Sequence, residues 1–359
     1  MTPASDTDVR TASVIGVGLI GGSVGMALRA AGWRVVGVDN DTDRLDAAVA
    51  AGAIDEAGPM GECDLAIVAT PVNALAPLVQ QALDAGAAVV TDVGSVKAPV
   101  ASAVDDPRFV PGHPMAGSEQ DGLDGAFADM FSGAMWVLCP TESTDDAAFA
   151  EVRGVVSSFG AQVIVMPPER HDTLVAVVSH VPHLTAATLM RLADGRAEEH
   201  RSLLRLAAGG FRDMTRVAAG HPAIWPDICA QNQGAITDVL DELIAELSAL
   251  RGVVADGAEG ELLEHLEAAR HARRNLPTTA PVAEQMSEMR IPVLDRQGEL
   301  AALATLAADL DVNIYDLEIA HSAEGPRGVV VVLVETAMAE RFQGGLMAQG
   351  YRPSIRSLD

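Results

Sequence analysis

A glycine-rich turn near the start of the chain constrains the fold more than any other feature of the sequence. Gly16, Gly18 and Gly21 form the pattern G-x-G-x-x-G between a β-branched run at 12–17 and an Ala-rich segment at 21–31. A strand, a tight glycine turn and a helix in this order are typical of a doubly wound α/β domain that binds a dinucleotide. The free N–H groups and positive dipole end of the helix would face the pyrophosphate.

The residue that ends the second strand candidate, 34–39, indicates which dinucleotide binds. Asp39 stands at the position, about 20 residues after the turn, where a carboxylate binds the ribose hydroxyls. The same carboxylate would repel a 2′-phosphate, so we expect NAD as the cofactor rather than NADP. We assign the following residues to the cofactor site: Gly16, Gly18, Leu19, Ile20, Gly21, Asp39, Thr70 and Pro71.

The pattern of elements predicts a Rossmann-like α/β domain at 1–167 and an all-α domain at 168–276. Unbroken apolar runs of the first part suit a parallel sheet that is covered on both faces. The further strand candidates are 65–69, 88–92, 109–112, 134–139 and 162–166. After residue 168 the apolar residues recur at helical spacing, and Gly209-Gly210 and Trp225-Pro226 indicate loops between helices.

The end of the chain returns to mixed character after a polar linker predicted at 277–289. Within 290–359, two predicted helices, 298–310 and 337–349, alternate with four short strand candidates. These strand candidates are 291–294, 313–320, 328–335 and 352–357. The order βαββαβ predicts a ferredoxin-like arrangement for this third domain.

Charge and cysteine content exclude several classes of function. A formal net charge of −26 disfavours binding to nucleic acids and to anionic membranes. A dicarboxylate substrate would therefore need a local basic pocket, for which Lys97, Arg212 and Arg216 are candidates. Three cysteines without a CxxC pattern favour a reducing compartment, and no apolar stretch approaches the about 18 residues of a membrane span. We expect a soluble cytoplasmic protein.

Three clusters of polar residues follow predicted strands or open the helical domain: 91–97, 112–119 and 179–183. Taken singly, each has a simpler interpretation. A histidine near a strand end is more often packed than catalytic, and Arg212 and Arg216 could be surface residues four apart on a helix. His171, His180 and His183 could bind a metal, but no HExxH motif or carboxylate cluster accompanies them, so we expect no metal site.

Taken together, the clusters resemble the prephenate/arogenate dehydrogenase family over residues 12 to 276. The matching motifs are the glycine turn 16–23, Gly94-Ser95-Val96-Lys97, His113-Pro114-Met115-Ala116-Gly117, Ser179-His180-Val181-Pro182-His183 and the segment 209–216. The last domain resembles an ACT domain, a module that senses amino acids. Gly298 fits the ligand-facing turn of such a domain, whereas Asp311 stands where many of them have glycine.

The resemblance implies an oxidative decarboxylation in which hydride passes to NAD and a ring carboxylate leaves as carbon dioxide. It implies that His113 accepts the proton of the substrate hydroxyl and that Ser95 hydrogen-bonds the hydroxyl or the imidazole. Arg216 would grip a substrate carboxylate with its bidentate fork. The resemblance implies further roles as follows: His183 lines the pocket, His180 and Ser179 lie nearer the nicotinamide, Glu119 organises the site, and Lys97 is structural or faces substrate charge.

Two other functions remain open at this point. A non-catalytic NAD-binding regulator would explain the glycine turn and the last domain but not the polar clusters. A β-hydroxyacid dehydrogenase would share the order of domains but normally has a catalytic lysine in the second domain, and this chain has no lysine after Lys97. The sequence leaves undecided whether the substrate is prephenate or arogenate. We also expect a homodimer and a tyrosine or phenylalanine effector.

Overall fold

The computed structural model of the chain describes residues 9–117, 120, 122–197, 206–275, 286–294, 296–321 and 327–357. These residues form two compact units that divide between Arg251 and Gly252. The first unit contains the predicted nucleotide-binding domain and most of the predicted helical domain.

A six-stranded parallel sheet forms the centre of the first unit. Its strands are β1 (Thr11–Ile15), β2 (Arg34–Val38), β3 (Glu56–Ala57), β4 (Leu65–Val68), β5 (Val90–Asp92) and β6 (Phe109–Val110), in the order β3-β2-β1-β4-β5-β6. Four helices connect them: α1 (Leu19–Ala30), α2 (Thr42–Ala50), α3 (Leu75–Asp84) and α4 (Ala98–Ala103). Separate apolar cores cover the two faces of the sheet, as the unbroken apolar runs predict. The doubly wound α/β fold is therefore confirmed.

The predicted strand 109–112 is wrong as a single strand, because the chain leaves the parallel sheet at Pro111. Proline has no N–H to donate to a ladder, so it commonly ends a strand within a sheet. The chain then enters a second sheet of three strands, in the order β7-β8-β9: β7 (Gly112–Pro114), β8 (Met135–Leu138) and β9 (Gln162–Val165). Helix α5 (Asp146–Ser158) joins the last two. His113 thus lies within β7 rather than after a strand.

The remainder of the first unit is helical, as predicted. Its α-helices are α6 (Pro168–Val175), α7 (Val181–Ala197), α8 (Gly209–Thr215), α9 (Trp225–Gln231) and α10 (Gln233–Asp256), and α10 continues past Arg251 into the second unit. Gly209 and Trp225 begin helices α8 and α9, so the two dipeptides predicted as loops belong to helix starts. Pro226 suits the first turn of α9, because the missing N–H has no partner there in any case.

The cluster 179–183 does not open the helical domain but lies inside a continuous helical run. A π-helical turn, Ala176–His180, joins α6 to α7. Pro182 explains the irregularity, because its ring clashes with the carbonyl of the preceding turn and it cannot donate a hydrogen bond. The wider π turn accommodates the proline, and such turns are frequent at functional sites.

The expectation that no segment is apolar enough to span a membrane is wrong for this helical run. By length and composition alone, Pro168–Arg196 is apolar enough to cross a bilayer. The run nevertheless carries His171, Asp172 and His180 with side chains that are buried in the first unit. Because His171 contacts His113 in β7 and Asp172 accepts hydrogen bonds from the backbone N–H groups of Lys97 and Ala98, we interpret the run as a helix of the protein core.

The second unit contains α11 (Glu259–Arg274) and a four-stranded antiparallel sheet in the order β11-β12-β10-β13. The strands are β10 (Met286–Leu294), β11 (Asp316–His321), β12 (Arg327–Glu335) and β13 (Ser354–Ser357), with helices α12 (Glu299–Asp309) and α13 (Thr336–Ala348) between them. The apolar core contains side chains of β10, β12, β13, α12 and α13.

The predicted linker 277–289 is too long, because β10 begins at Met286. The side chains of Met289 and Ile291 are buried while Arg290 and Pro292 are exposed, which is the alternation of a strand with one covered face. Pro292 is tolerated because β13 pairs only with residues 287–290 of β10. The remainder of the predicted linker, 277–285, lies outside the described residues.

Asp311 occupies a turn that requires the backbone conformation of glycine. Its φ is +57°, in the left-handed region, where Asp is tolerated better than most residues. Gly298 also has a positive φ, +90°, at the start of α12. The departure noted in the sequence therefore keeps the backbone geometry that a glycine would give.

Candidate active site

The glycine turn brings the loop after β4 against the start of α1. Gly16 has a φ of +90°, and a Cβ there would lie 2.5 Å from the carbonyl oxygen of Ala69. A Cβ on Gly21 would lie 1.8 Å from the carbonyl oxygen of Gly16, so only glycine permits this close packing. Around Gly18, by contrast, no described atom lies within 4 Å of a Cβ position. The turn is thus closed on its inner side and open where a pyrophosphate would approach.

Two further features of this turn fit a bound dinucleotide. Within the described part of the chain, no side chain caps the N-terminus of α1, so the N–H groups of Leu19 and Ile20 remain available for phosphate oxygens. The Oγ1 atom of Thr70 is buried without a hydrogen-bond partner among the described residues. A buried orphan hydroxyl beside the glycine turn suits a polar group of the cofactor. Pro71 follows it at the surface.

Asp39 lies at the end of β2 and is held by the backbone of the turn. Its Oδ2 accepts a hydrogen bond of 3.0 Å from the N–H of Val17, and its Oδ1 accepts one of 3.0 Å from the N–H of Asp41. Arg44 forms an ion pair with Asp39, in which Nη1 of Arg44 lies 3.1 Å from Oδ1 of Asp39 and the side chain of Arg44 is about half-exposed. The carboxylate is therefore fixed beside the turn, although a ribose must share it with Arg44.

A buried ion pair fixes the two loops that carry the polar clusters. The ammonium of Lys97 contacts the carboxylate of Asp92, and both side chains are fully buried. Lys97 also donates a hydrogen bond of 2.8 Å to the carbonyl oxygen of Gly112, and Asp92 accepts one of 3.2 Å from the N–H of the same residue. The pair thus joins the loop after β5 to the start of β7, next to His113. Lys97 is structural in this arrangement.

His113 ends a chain of three buried polar side chains. Its Nδ1 lies 2.8 Å from Nε2 of His171, whose Nδ1 lies 2.7 Å from Oδ1 of Asp172. Asp172 also accepts hydrogen bonds from the backbone N–H groups of Lys97 and Ala98, at 2.7 and 2.8 Å. Because a carboxylate only accepts, His171 donates to it through Nδ1. If both rings are neutral, Nε2 of His171 carries no proton and accepts a hydrogen bond from Nδ1–H of His113. The remaining ring nitrogen of His113, Nε2, then keeps its lone pair.

The surroundings of His113 keep its imidazole neutral. Burial lowers its pKa well below 6.5, and the neighbouring His171, Lys97 and His180 lower it further. A neutral imidazole with a free Nε2 lone pair is a proton acceptor. Because the pKa is lowered, this acceptor form persists to more acidic pH than in a histidine exposed to water.

His180, in the π turn, belongs to a second buried network. Its ring is 1% exposed, and its Nδ1 lies 3.2 Å from Nδ2 of Asn232, which also lies 2.8 Å from the backbone carbonyl oxygen of Asp172. Its Nε2 is buried with no hydrogen-bond partner in the part of the chain that the structure describes. Burial lowers the pKa of His180 to about 4.

His183 lies one turn further along and stacks on Trp225, at the start of α9. The ring centroids are 3.7 Å apart at an interplanar angle of 14°. The ring of His180 meets the same indole edge-on, at 6.1 Å between centroids. Trp225 therefore holds both rings of the 179–183 cluster on one side of the site, with His183 half-exposed.

The remaining predicted residues lie around these two networks or outside the described residues. Ser95 is half-buried in the loop after β5, and Ser179 is half-buried in the π turn. Arg216 is exposed at the start of a 3₁₀ turn, Arg216–Ala219, and a Cβ on the following Gly220 would lie 3.7 Å from the ring of His183. Glu119 lies outside the described residues, and Arg212 is exposed on α8.

Sequence reasoning missed Asp172, Asn232 and Trp225 and gave His171 only a weak metal role. The distances that matter join residues 58 and 60 positions apart along the chain, so no local spacing reveals them. The one available signal was the pair His171-Asp172, in which a carboxylate follows a histidine. Among the described residues, no group of three or more His, Cys, Asp or Glu side chains could hold a metal ion.

Two family models cover most of the chain. One, described as the nucleotide-binding domain of prephenate dehydrogenase, matches residues 24–165. The other, described as the dimerization domain of prephenate dehydrogenase, matches residues 167–268.

Individual relatives point in the same direction. A prephenate dehydrogenase of Bacillus subtilis is 31% identical over 89% of this chain and 91% of its own length. A cyclohexadienyl dehydrogenase of Zymomonas mobilis is 36% identical over 67% of this chain and 80% of its own length. The crystal structure of Aquifex aeolicus prephenate dehydrogenase with hydroxyphenyl propionate and NAD⁺ has a TM-score of 0.71 and 29% identity, covering 76% of this chain and all of that one. A Synechocystis arogenate dehydrogenase has a TM-score of 0.63 and 30% identity, with 73% and 98% coverage.

Proposed function

Because the chain belongs to the prephenate dehydrogenase family, we propose that it catalyses the NAD-dependent oxidative decarboxylation of prephenate to 4-hydroxyphenylpyruvate in tyrosine biosynthesis. The observation that carries this proposal is the buried chain His113–His171–Asp172, which presents a neutral proton acceptor in a unit that also holds a dinucleotide turn. Bound NAD supplies the acceptor for the hydride. The chain itself must bind the substrate, aim the reacting carbon and take the proton of the hydroxyl.

His113 takes that proton at Nε2. As it becomes an imidazolium, its Nδ1–H remains bonded to His171, and His171 remains bonded to the carboxylate of Asp172. The negative charge of Asp172 is fixed by two backbone N–H groups, so it stabilises the new positive charge without rearrangement. Ser95, in the loop after β5, would hydrogen-bond the substrate hydroxyl or the imidazole.

The substrate remains the main alternative within this proposal. Arogenate, which carries an amino group in place of the keto group, would undergo the same reaction to give tyrosine, and one relative is an arogenate dehydrogenase. We favour prephenate because a Bacillus subtilis relative, which covers 89% of this chain and 91% of its own length, is a prephenate dehydrogenase. A non-catalytic NAD-binding regulator would leave the His113–His171–Asp172 chain without a purpose.

A steady-state assay of NADH formation tests the proposal. Prephenate and arogenate are each supplied with NAD and with NADP. Because the carboxylate of Asp39 would repel a 2′-phosphate, we expect kcat/KM with NAD to exceed that with NADP by about tenfold or more, which corresponds to about 1.4 kcal/mol. Prephenate should be the better substrate. Equal efficiency with NAD and NADP would contradict the role of Asp39, and no NADH from either substrate would contradict the proposed activity.

Arg216 is proposed to bind a substrate carboxylate, because a chain with a net charge of −26 needs a local cation to hold a dicarboxylate. The 3₁₀ turn that it begins ends beside His183. We expect Arg216→Ala to weaken substrate binding by about 2–5 kcal/mol, seen as a raised KM, with NAD binding retained. Arg191→Ala, at an exposed position on α7, is the matched control. An unchanged KM in Arg216→Ala would leave Arg216 a surface residue.

We propose that the chain forms a cytoplasmic homodimer through its helical part. The helical part exposes four large apolar side chains, each with 42 to 66% of its surface accessible. These are Leu174 and Val178 on the 168–197 run, and Ile244 and Leu247 on α10. The last two lie three residues apart on α10, so they share one face of that helix, and a single chain leaves this part of the face uncovered. The matching family model is described as a dimerization domain, which supports the same assignment.

Residues 290–359 are proposed to form an ACT-like regulatory domain that senses tyrosine or phenylalanine. Four antiparallel strands, two helices and the positive φ of Gly298 support this proposal.

Sensing requires that the amino acid bind two states of the enzyme unequally, with couplings of about 1–3 kcal/mol. Titration of tyrosine and phenylalanine against the full chain should therefore change KM or kcat by about fivefold or more. A chain cut after Gln285 should keep activity and lose that response; an insensitive full chain would contradict sensing.

A further inference from the structure

Asn232 and His180 form a contact whose hydrogen-bond direction the structure fixes. Nδ2 of Asn232 lies 2.8 Å from the backbone carbonyl oxygen of Asp172, which can only accept. The atom at this position must therefore be the amide nitrogen, because a flipped side chain would place two oxygens against each other. The same nitrogen lies 3.2 Å from Nδ1 of His180.

The tautomer of His180 follows from this contact. An amide nitrogen only donates, so Nδ1 of His180 accepts and carries no proton. Burial lowers the pKa of His180 to about 4, so the ring is neutral near pH 7 and its one proton resides on Nε2. That Nε2–H group is buried and has no partner among the described residues. A buried N–H group without a partner is costly unless a ligand completes it.

We propose that Asn232 is a positioning residue that fixes His180 as a neutral N–H donor for an acceptor oxygen of the bound cofactor or substrate. The proposal rests on the proposed function only for the identity of these ligands. Asp172 organises both networks: its carboxylate leaves His113 with an acceptor at Nε2, and its backbone carbonyl leaves His180 with a donor at Nε2. The two imidazoles therefore take opposite tautomers and opposite roles.

Neutral N–H donation suits this position better than an imidazolium would. A second cation beside His113 would further disfavour the imidazolium that His113 must form when it takes the substrate proton. A neutral donor orients a carbonyl or carboxylate oxygen without adding charge. The rings of His180 and Trp225 also meet at an interplanar angle of 87° with 6.1 Å between centroids, and this T-shaped contact is a second restraint on the orientation of the donor.

Nitrogen-15 NMR of the histidine rings in the full chain tests this directly at pH 7. His180 is assigned from the signals lost in His180→Asn. We expect a single Nε2–H tautomer for His180 and the Nδ1–H tautomer for His113. His271 provides an internal control, because it is exposed and the one hydrogen bond of its ring among the described residues joins it to the exposed Asn275 at 3.3 Å, so its tautomers should exchange. An averaged or Nδ1–H signal for His180 would overturn the proposal.

Substitution separates a positioning role from a merely structural one. Asn232→Asp keeps the shape of the side chain but replaces the donor by an acceptor, so His180 should move its proton to Nδ1 or become doubly protonated. Asn275→Asp, the matched control at the exposed pair, should leave the signals of His180 unchanged. If Asn232→Asp fails to fold, the wild-type tautomers alone decide the question. A folded Asn232→Asp with an unaltered Nε2–H signal would overturn the proposal.

Ligand additions identify the acceptor. NAD⁺ is added alone and then together with hydroxyphenyl propionate, and the Nε2–H proton signal of His180 is followed. A shift with NAD⁺ alone assigns the acceptor to the cofactor, and a shift only with both assigns it to the substrate site. No shift in either arm would overturn the donor role. None of these readouts requires turnover, so an inactive enzyme would contradict the proposed function without affecting this result.

Discussion

Replacing His113 with Asn is expected to lower turnover by about two to four orders of magnitude, the usual contribution of a general base. Asn fills a similar volume but cannot take a proton, so the substrate hydroxyl loses its acceptor. The cofactor turn is formed by other residues, and NAD binding should change little. The measurement is kcat from NADH formation, with NAD affinity from fluorescence titration.

The control for this variant is His265→Asn, at an exposed position on α11. It makes the same chemical change away from the buried network and should retain wild-type turnover. If His113→Asn also retained wild-type turnover, the acceptor would have to be sought elsewhere among the polar clusters.

Replacing Lys97 with Met is expected to destabilise the first unit by about 3–5 kcal/mol, because it leaves the carboxylate of Asp92 buried without its partner. Both side chains of the pair are fully buried, and Lys97 also bonds the carbonyl oxygen of Gly112. The measurement is the free energy of unfolding in urea. The loss should be accompanied by reduced activity, because the pair fixes the strand that carries His113.

Two comparisons sharpen this prediction. The double variant Asp92→Asn with Lys97→Met removes both charges and should recover part of the lost stability. Arg34→Met breaks the exposed ion pair with Glu56, in which both side chains are about half-exposed, and should cost at most about 1 kcal/mol. A Lys97→Met protein as stable as the wild type would mean that the ion pair contributes nothing net.

Much of the first unit could be predicted because its signals are local. The glycine turn, the apolar strands and Asp39 each depend on neighbours in sequence. The structure confirms the parallel sheet, its strands at 11–15, 34–38, 65–68 and 90–92, and the place of Asp39 at the end of β2. Boundaries failed where one proline overrides the surrounding pattern. Pro111 divides a predicted strand, and Pro182 turns a predicted helix start into a π turn.

The candidate site could be predicted only in part, because its organisation is tertiary. His113 and His180 were found from sequence motifs, but their chemical roles depend on Asp172 and Asn232, which contact them only in the folded chain. The carboxylate of Asp172 and its own backbone carbonyl act on different histidines. No spacing along the sequence carries that information. The structure thus adds the tautomers and the electrostatics to residues that the sequence had already indicated.

The pH dependence of kcat/KM with prephenate and NAD tests most directly whether a neutral His113 is the proton acceptor. Only the unprotonated imidazole is active, so activity is lost as pH falls through its pKa, which burial holds well below 6.5. The wild type should therefore keep its plateau through pH 6.5 and decline only at lower pH, and His113→Asn should lack this decline. A wild-type decline centred at or above pH 6.5, or the same profile in His113→Asn, would contradict the account.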